Sequence, residues 1–270
     1  MFWRKLIVTF GFFAFFTLGV HPSLARKYEE SFERSFDFKS GGKLLLSNSN
    51  GKIIIRSWDK ERVQVKAELR IRAPDREEAK EIAQKAIEID YTPEEIRIAT
   101  KRWGHKSFWG SLFGRGRGVS VNYVLSVPRR VDLEVRSVNG GVGITDIEGI
   151  IKAKTTNGGI GISGVSGSVS ARTTNGGIRV ELKEVNQDEP MSFTTTNGGI
   201  KAYFPHDIKA NILARTTNGG IHTDLPLEVK GRFSSRNIRG KLNGGGALIE
   251  LHTTNGGISI LSVDKRGEKL

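Results

Sequence analysis

The chain has 270 residues and a formal charge of +13, with 42 Lys and Arg against 29 Asp and Glu. That length suits one large β domain or an elongated repeat array. It contains no cysteine, which excludes disulfides, thiolate metal sites, cysteine nucleophiles and a lipid anchor attached through cysteine.

Arg4 and Lys5 precede an apolar run from Leu6 to Val20, and Ser23-Leu24-Ala25 places small residues where a signal peptidase reads. A basic start, a short apolar stretch and a small-residue cleavage site predict a secretory signal over residues 1–25. The run is shorter than the roughly 20 residues that cross a bilayer; an uncleaved N-terminal anchor is the alternative. Cleavage after Ala25 removes Arg4 and Lys5 but no acid and leaves a charge of +11. Such a surface attracts polyanions. In the periplasm or at the cell surface these are lipid headgroups, lipopolysaccharide, anionic wall polymers or surface glycans, and nucleic acid is not expected. Solubility alone is the plainer reason for the charge.

Residues 26–130 are read as an N-terminal β region. Leu44, Leu46, Asn48 and Asn50, followed by Gly51, Lys52, Ile53 and Ile55, alternate as two strands about an Asn-Gly turn. Residues 75–86 read as an amphipathic helix capped by Asp75, with Ala79, Ile82, Ala83 and Ala86 on one face. It is expected to cover an open end of the molecule. Ile87–Tyr91 and Ile96–Thr100 alternate about Thr92-Pro93-Glu94-Glu95 and predict a hairpin. The next segment, Lys101 to Gly118, has five Lys or Arg, no acid, and Trp103, Phe108, Trp109 and Phe113 among glycines. Such a loop can set rings at a headgroup interface while its cations meet anionic lipid. Stacking on sugar rings, or folding over the flank of the domain, are the other readings.

From residue 131 to 263 a repeat dominates. Thr-Thr-Asn-Gly-Gly-Ile occurs five times, with Asn at 157, 175, 197, 218 and 255, and a variant places Asn139. Ser-Arg-Asn-Ile-Arg-Gly about Asn237 resembles a degenerate copy. Counting it, successive Asn residues are 18, 18, 22, 21, 19 and 18 residues apart. A fixed period near 20 marks a repeat array. Before each Asn the apolar residues alternate, as in Ile151, Ala153, Thr155 and Asn157, which predicts a strand with one buried face. A second strand follows each Gly-Gly pair. Asn-Gly between alternating strands also suits an antiparallel meander. Only a coil, however, explains why every Asn turn carries the same residues: equivalent positions stack, and Asn side chains pass hydrogen bonds along the axis. The predicted fold is all-β, a parallel β-solenoid of 18–22 residues per rung, with Asn139, Asn157, Asn175, Asn197, Asn218 and Asn255 as its ladder. Glycine is expected to supply a positive φ at the corner, and the inward Thr column to satisfy itself. Residues 264–270 read as a charged tail.

These Asn-Gly repeats behind a signal segment, the Val121–Pro128 strand before them and the closing Arg236–Gly246 segment together resemble the bacterial putative-adhesin family. This is a domain of unknown function with β-strand repeats. The resemblance covers nearly the whole mature chain. It implies a parallel β-helix-like fold in the cell envelope and no cofactor or catalytic residues.

A β-helix enzyme acting on an anionic polysaccharide is the competing class, and it needs carboxyl groups converging in a groove. At the sixth position after each Asn, Glu181 and Asp224 are expected two rungs apart with Tyr203 between, about 10 Å by rung spacing. That is at or beyond the far end of the range for inverting glycosidases. No His stands at ligand spacing with another His, so no metal site is expected. Two outward columns carry cations. Three residues before Asn stand Arg136, Lys154, Arg172 and Arg215, with Thr194, Ser234 and His252 between and after them. Four residues after it stand Arg179, Lys201, His222 and Lys241, which are expected to form an unbroken basic line over four rungs. These columns, with Trp103 and Trp109, are the candidate binding residues for a polyanion; a solvated outer face is the alternative. The function expected is non-enzymatic binding or structural work in the envelope, with an envelope-stress role through a partner protein as a further possibility.

Overall fold

The computed structural model describes residues 4–5, 26–101, 118–185, 189–229 and 234–263. The predicted signal segment (apart from Arg4 and Lys5), Trp103, Trp109 and the tail 264–270 lie outside them. The N-terminal region comprises β1 (Arg4–Lys5), β2 (Arg26–Asp37), β3 (Lys43–Asn50), β4 (Ile53–Trp58), β5 (Arg62–Ala73), helix α1 (Arg76–Ala86), β6 (Ile87–Tyr91), β7 (Glu95–Thr100) and β8 (Gly118–Pro128). The repeats follow as strand pairs. They are β9 (Asp132–Asn139) with β10 (Val142–Thr145), β11 (Ile151–Lys154) with β12 (Ile160–Gly167), and β13 (Val169–Asn175) with β14 (Ile178–Val185). Then come β15 (Met191–Asn197) with β16 (Ile200–Pro205), and β17 (Ala210–Asn218) with β18 (Ile221–Thr223). Strands β19 (Leu227–Val229) and β20 (Asn237–Leu242) precede the last pair, β21 (Ala247–Asn255) with β22 (Ile258–Val263).

The first member of each pair joins a twelve-stranded sheet and the second a ten-stranded sheet. Between them runs one core to which a repeat gives, for example, Ile151, Ala153, Ile160 and Ile162, all at least 97% buried. Each fully buried branched side chain contributes about 1.5–3 kcal/mol. Rungs pair in parallel and in register, as Ile151↔Val169 and Ile160↔Ile178. The all-β solenoid is therefore the fold.

The rungs do not stack in sequence order. The C-terminal strand β21 lies between β15 and β17, and β22 between β16 and β18. The order along the axis is the rung of Asn50, then those of Asn139, Asn157, Asn175, Asn197, Asn255 and Asn218. The insertion leaves the shortest of the rung strands, β18, at the edge. An interior rung is paired on both sides, and β22 matches all six residues of β16. β18 is only three residues long. The segment about Asn237 is not a rung: β20 runs antiparallel to β17 and covers its outer side, with Asn237 opposite Arg215.

At the other end β3 and β4 dock beside β9 and β10 with Asn50 opposite Asn139. β7 and β8 form the next turn of the coil, parallel to β3 and β4. β8, β5 and β2 then continue the second sheet antiparallel, while the hairpin of β6 and β7 continues the first. Arg4 and Lys5 pair with the edge of β6. Helix α1 begins at Asp75, whose Oδ1 accepts from the Glu78 amide at 2.8 Å. Its buried face of Ala79, Ile82, Ala83 and Ala86 packs against β5, β2 and β6 and so closes the core between the two sheets.

Candidate functional site

The corner between the sheets is built by three columns. Ile151, Ala153 and Thr155 point inward, but Asn157, of the same parity, is exposed because the chain turns there. A buried amide would need all its hydrogen-bonding groups paired inside the protein. At the corner one donor and one acceptor serve the neighbouring rungs and water takes the rest. Asn218 donates through Nδ2 to Asn255 Oδ1, Asn255 to Asn197, Asn197 to Asn175, Asn175 to Asn157, Asn157 to Asn139 and Asn139 to Asn50, each at 2.7–2.8 Å. The ladder thus runs in axial order, not sequence order, and Asn50 joins it.

The Thr column is not self-satisfying. The buried hydroxyls of Thr155, Thr173, Thr195, Thr253 and Thr216 donate to the carbonyls of Gly140, Gly158, Gly176, Gly198 and Gly256 on the adjacent rung, at 2.8–3.0 Å. Those glycines are required by close approach, and Gly176, Gly198 and Gly256 also by the positive φ expected at the corner. A Cβ on Gly176 would lie 2.2 Å from the Gly158 carbonyl oxygen, and the Gly176 backbone has φ 156°, which L side chains rarely adopt. In the Asn50 and Asn139 rungs, Asn48 and Ser137 hold the Thr position. Asn48 Nδ2 reaches the carbonyls of Gly51 and Val121 at 3.2 and 2.8 Å, whereas Ser137 Oγ is buried without a partner among the described residues.

Outside this corner the first cationic column reads, in axial order, Ser47, Arg136, Lys154, Arg172, Thr194, His252, Arg215. Arg136, Lys154 and Arg172 are consecutive and exposed; Arg215 stands apart at the end. Arg136 Nη2 holds Glu134 at 2.7 Å, and this hydrogen bond keeps the Glu134 carboxyl below the usual range. Lys154 and Arg172 have no carboxylate partner among the described residues. Lys152, two positions before Lys154 and likewise exposed, adds a cation that the period-two alternation could have supplied.

The second column is broken. Its axial order is Gly143, Gly161, Arg179, Lys201, Ser259, His222, so Ser259 separates Lys201 from His222. Lys241 belongs to the other sheet, opposite Asn211 and Glu228. The unbroken basic line fails because sequence order is not axial order. What remains is an open groove of about 610 Å³ floored by Gly159, Gly177, Gly199 and Gly257 and flanked by Arg179 and Lys201. Arg179 lies over the Tyr203 ring, 4.1 Å from its centroid, and donates to the Tyr203 hydroxyl at 2.6 Å. Its other nitrogen stands 3.8 Å from Glu181.

Glu181 and Asp224 are three rungs apart rather than two, since the C-terminal rung intervenes. That is about 14 Å by strand spacing. Asp224 Oδ1 accepts from the Ser262 amide at 2.8 Å, a structural bond that ties the edge rung to its neighbour. Among the described residues no group of three or more His, Asp or Glu side chains could hold a metal. No helix of the described residues is long and apolar enough to cross a membrane.

Residues 48–261 match the family described as Toastrack DUF4097. Among solved structures, one titled a putative cell adhesion protein from Clostridium sporogenes is 13% identical, with a TM-score of 0.47, covering 88% of this chain and all of its own. Another, titled a putative adhesin from Bacteroides fragilis, is 12% identical with a TM-score of 0.40, covering 91% of this chain and all of its own. No curated protein matches.

Proposed function

The chain belongs to the Toastrack family, and we propose that it is an exported, non-enzymatic binding protein of the cell envelope whose corner ridge holds an extended polyanion. The observation that carries this reading is the run Arg136, Lys154, Arg172. Three exposed cations stand on consecutive, in-register rungs, and two of them lack a carboxylate partner among the described residues. Strand spacing sets them about 4.8 Å apart, and a backbone locked by parallel pairing on both sides holds that spacing. An anionic polymer lying along the axis meets a cation at each step without the protein having to rearrange. Arg179 and Lys201 flank the other side of the same corner. The basic aromatic segment from Lys101 to Gly118 is the second contact proposed, with Trp103 and Trp109 meeting lipid.

The test uses anionic vesicles and a soluble anionic polymer at low and high salt. A triple Arg136, Lys154, Arg172 to Ser variant loses polymer affinity by roughly tenfold or more at low salt. The difference shrinks as the Debye length falls toward about 8 Å. A Trp103, Trp109 to Ser variant loses vesicle binding that persists at high salt, because ring burial is not screened. Equal affinity of wild type and the triple variant for the polymer under every condition would overturn the proposal.

A further inference from the structure

We propose that the protein pairs with a second copy of itself through the outer edge of β2, joining two solenoids end to end into one continuous sheet. β2 is the last strand of the ten-stranded sheet and is bonded to β5 along all twelve of its residues. Among the described residues no strand pairs with its other side. The second sheet extends past β4 by β8, β5 and β2, and the first sheet extends past β3 by β7, β6 and the dipeptide β1. A bare edge of this length is a template for pairing, and proteins usually shorten, bend or charge such edges.

The charges on β2 select one partner. On its outer face Glu29, Glu33 and Asp37 are each matched by β5, with Arg70, Lys66 and Arg62 at 3.0–3.3 Å. The face toward the core carries Tyr28, Glu30, Phe32, Arg34 and Phe36. Phe32 and Phe36 are buried, while Glu30 and Arg34 form no ion pair among the described residues. Arg34 lies only over the Phe32 ring, 5.9 Å from its centroid. A two-fold axis perpendicular to the sheet makes two β2 strands antiparallel and keeps their faces aligned. Centred on Phe32, it sets Glu30 opposite Arg34, Tyr28 opposite Phe36 and Lys27 opposite Asp37 of the second copy, each twice. It leaves Glu29 and Glu33 opposite serines. No like charges meet.

Neighbouring registers fail on repulsion, which destabilises directly opposed cross-strand pairs. Centring on Ser31 opposes Glu29 to Glu33. Centring on Glu33 opposes Glu33 to itself and Glu29 to Asp37. Centring on Glu30 opposes Glu30 to itself and Arg26 to Arg34. The unpaired inward charges thus deter other strands and become ion pairs only in the self-complementary register.

The full chain is examined by sedimentation across a wide concentration range. The wild type is expected to show a monomer–dimer equilibrium. Glu30→Arg and Arg34→Glu should each weaken the dimer about tenfold or more, because each places two like-charged pairs across the axis. The double exchange E30R/R34E should restore it. Since the chain has no cysteine, register is read by oxidative cross-linking, which does not depend on the charge variants folding equally well. Ser31 faces Glu33 of the second copy, so S31C mixed with E33C should cross-link and neither should do so alone. A wild type monomeric throughout, a double exchange no tighter than the single variants, or S31C cross-linking to itself as fast as the mixture would each overturn the proposal.

Discussion

Gly176, one position after its repeat Asn, and Gly161, four positions after the Asn of the axially adjacent repeat, make opposite demands, and changing each to alanine tests what the corner requires. A Cβ on Gly176 would lie 2.2 Å from the oxygen and 2.5 Å from the carbon of the Gly158 carbonyl. That is more than 1 Å inside ordinary contact distance. The obstacle is backbone, and the same carbonyl accepts the Thr173 hydroxyl at 2.9 Å. Relief would also strain the bond from the Gly176 amide to the Asn197 carbonyl, 2.9 Å long. Overpacking costs about 1–3 kcal/mol and each weakened hydrogen bond about 1 kcal/mol, so Gly176→Ala should destabilise by about 3–5 kcal/mol. Gly161, on the outward face of β12, has nothing within 4 Å of its Cβ position and is not among the positive-φ residues. Gly161→Ala should leave stability unchanged or raise it by about 0.4–1 kcal/mol by restricting the unfolded chain. Urea unfolding of the three proteins, compared through their midpoints, reads the difference. If Gly176→Ala costs less than about 1 kcal/mol, or no more than Gly161→Ala, the requirement for glycine argued from close approach and positive φ is wrong.

Two further outcomes follow from the interior. Asn175→Ala removes two ladder bonds and should cost about 1–3 kcal/mol, whereas Asn218→Ala removes one and should cost about half as much. Equal losses in urea unfolding would mean that the amides act independently of their neighbours in the stack. Tyr123 is fully buried, and its hydroxyl shares a 2.8 Å hydrogen bond with Thr100. Burial pushes its ionisation well above the ordinary tyrosine range. The folded state therefore holds this proton more tightly than the unfolded chain. The stabilisation is present below the unfolded value near pH 10 and declines as pH rises above it. Tyr123→Phe should cost about 1 kcal/mol at neutral pH yet lose stability less steeply in alkali. Melting curves that stay parallel for the two proteins through the alkaline range would exclude Tyr123 as a source of that decline.

Much of this protein was determined by local sequence, because its elements rest on short-range rules. The alternation of Val169, Ala171 and Thr173 set a strand and its buried face, the recurring Asn-Gly-Gly set the corners, and Asp75 fixed the start of the helix. What the sequence left open was which rung neighbours which. Thr-Thr-Asn-Gly-Gly-Ile at 195–200, 216–221 and 253–258 is the same string, so any copy can bond to any other in the same register. Local pattern then carries no information about axial order. Tertiary structure decided it. β18, the shortest of the rung strands, lies at the edge, β20 seals β17, and the C-terminal rung fills the slot between the Asn197 and Asn218 rungs. That rearrangement separated Lys201 from His222 and sent Lys241 to the other sheet, while Arg136, Lys154 and Arg172 stayed together. Their rungs are the ones whose sequence neighbours are also their spatial neighbours.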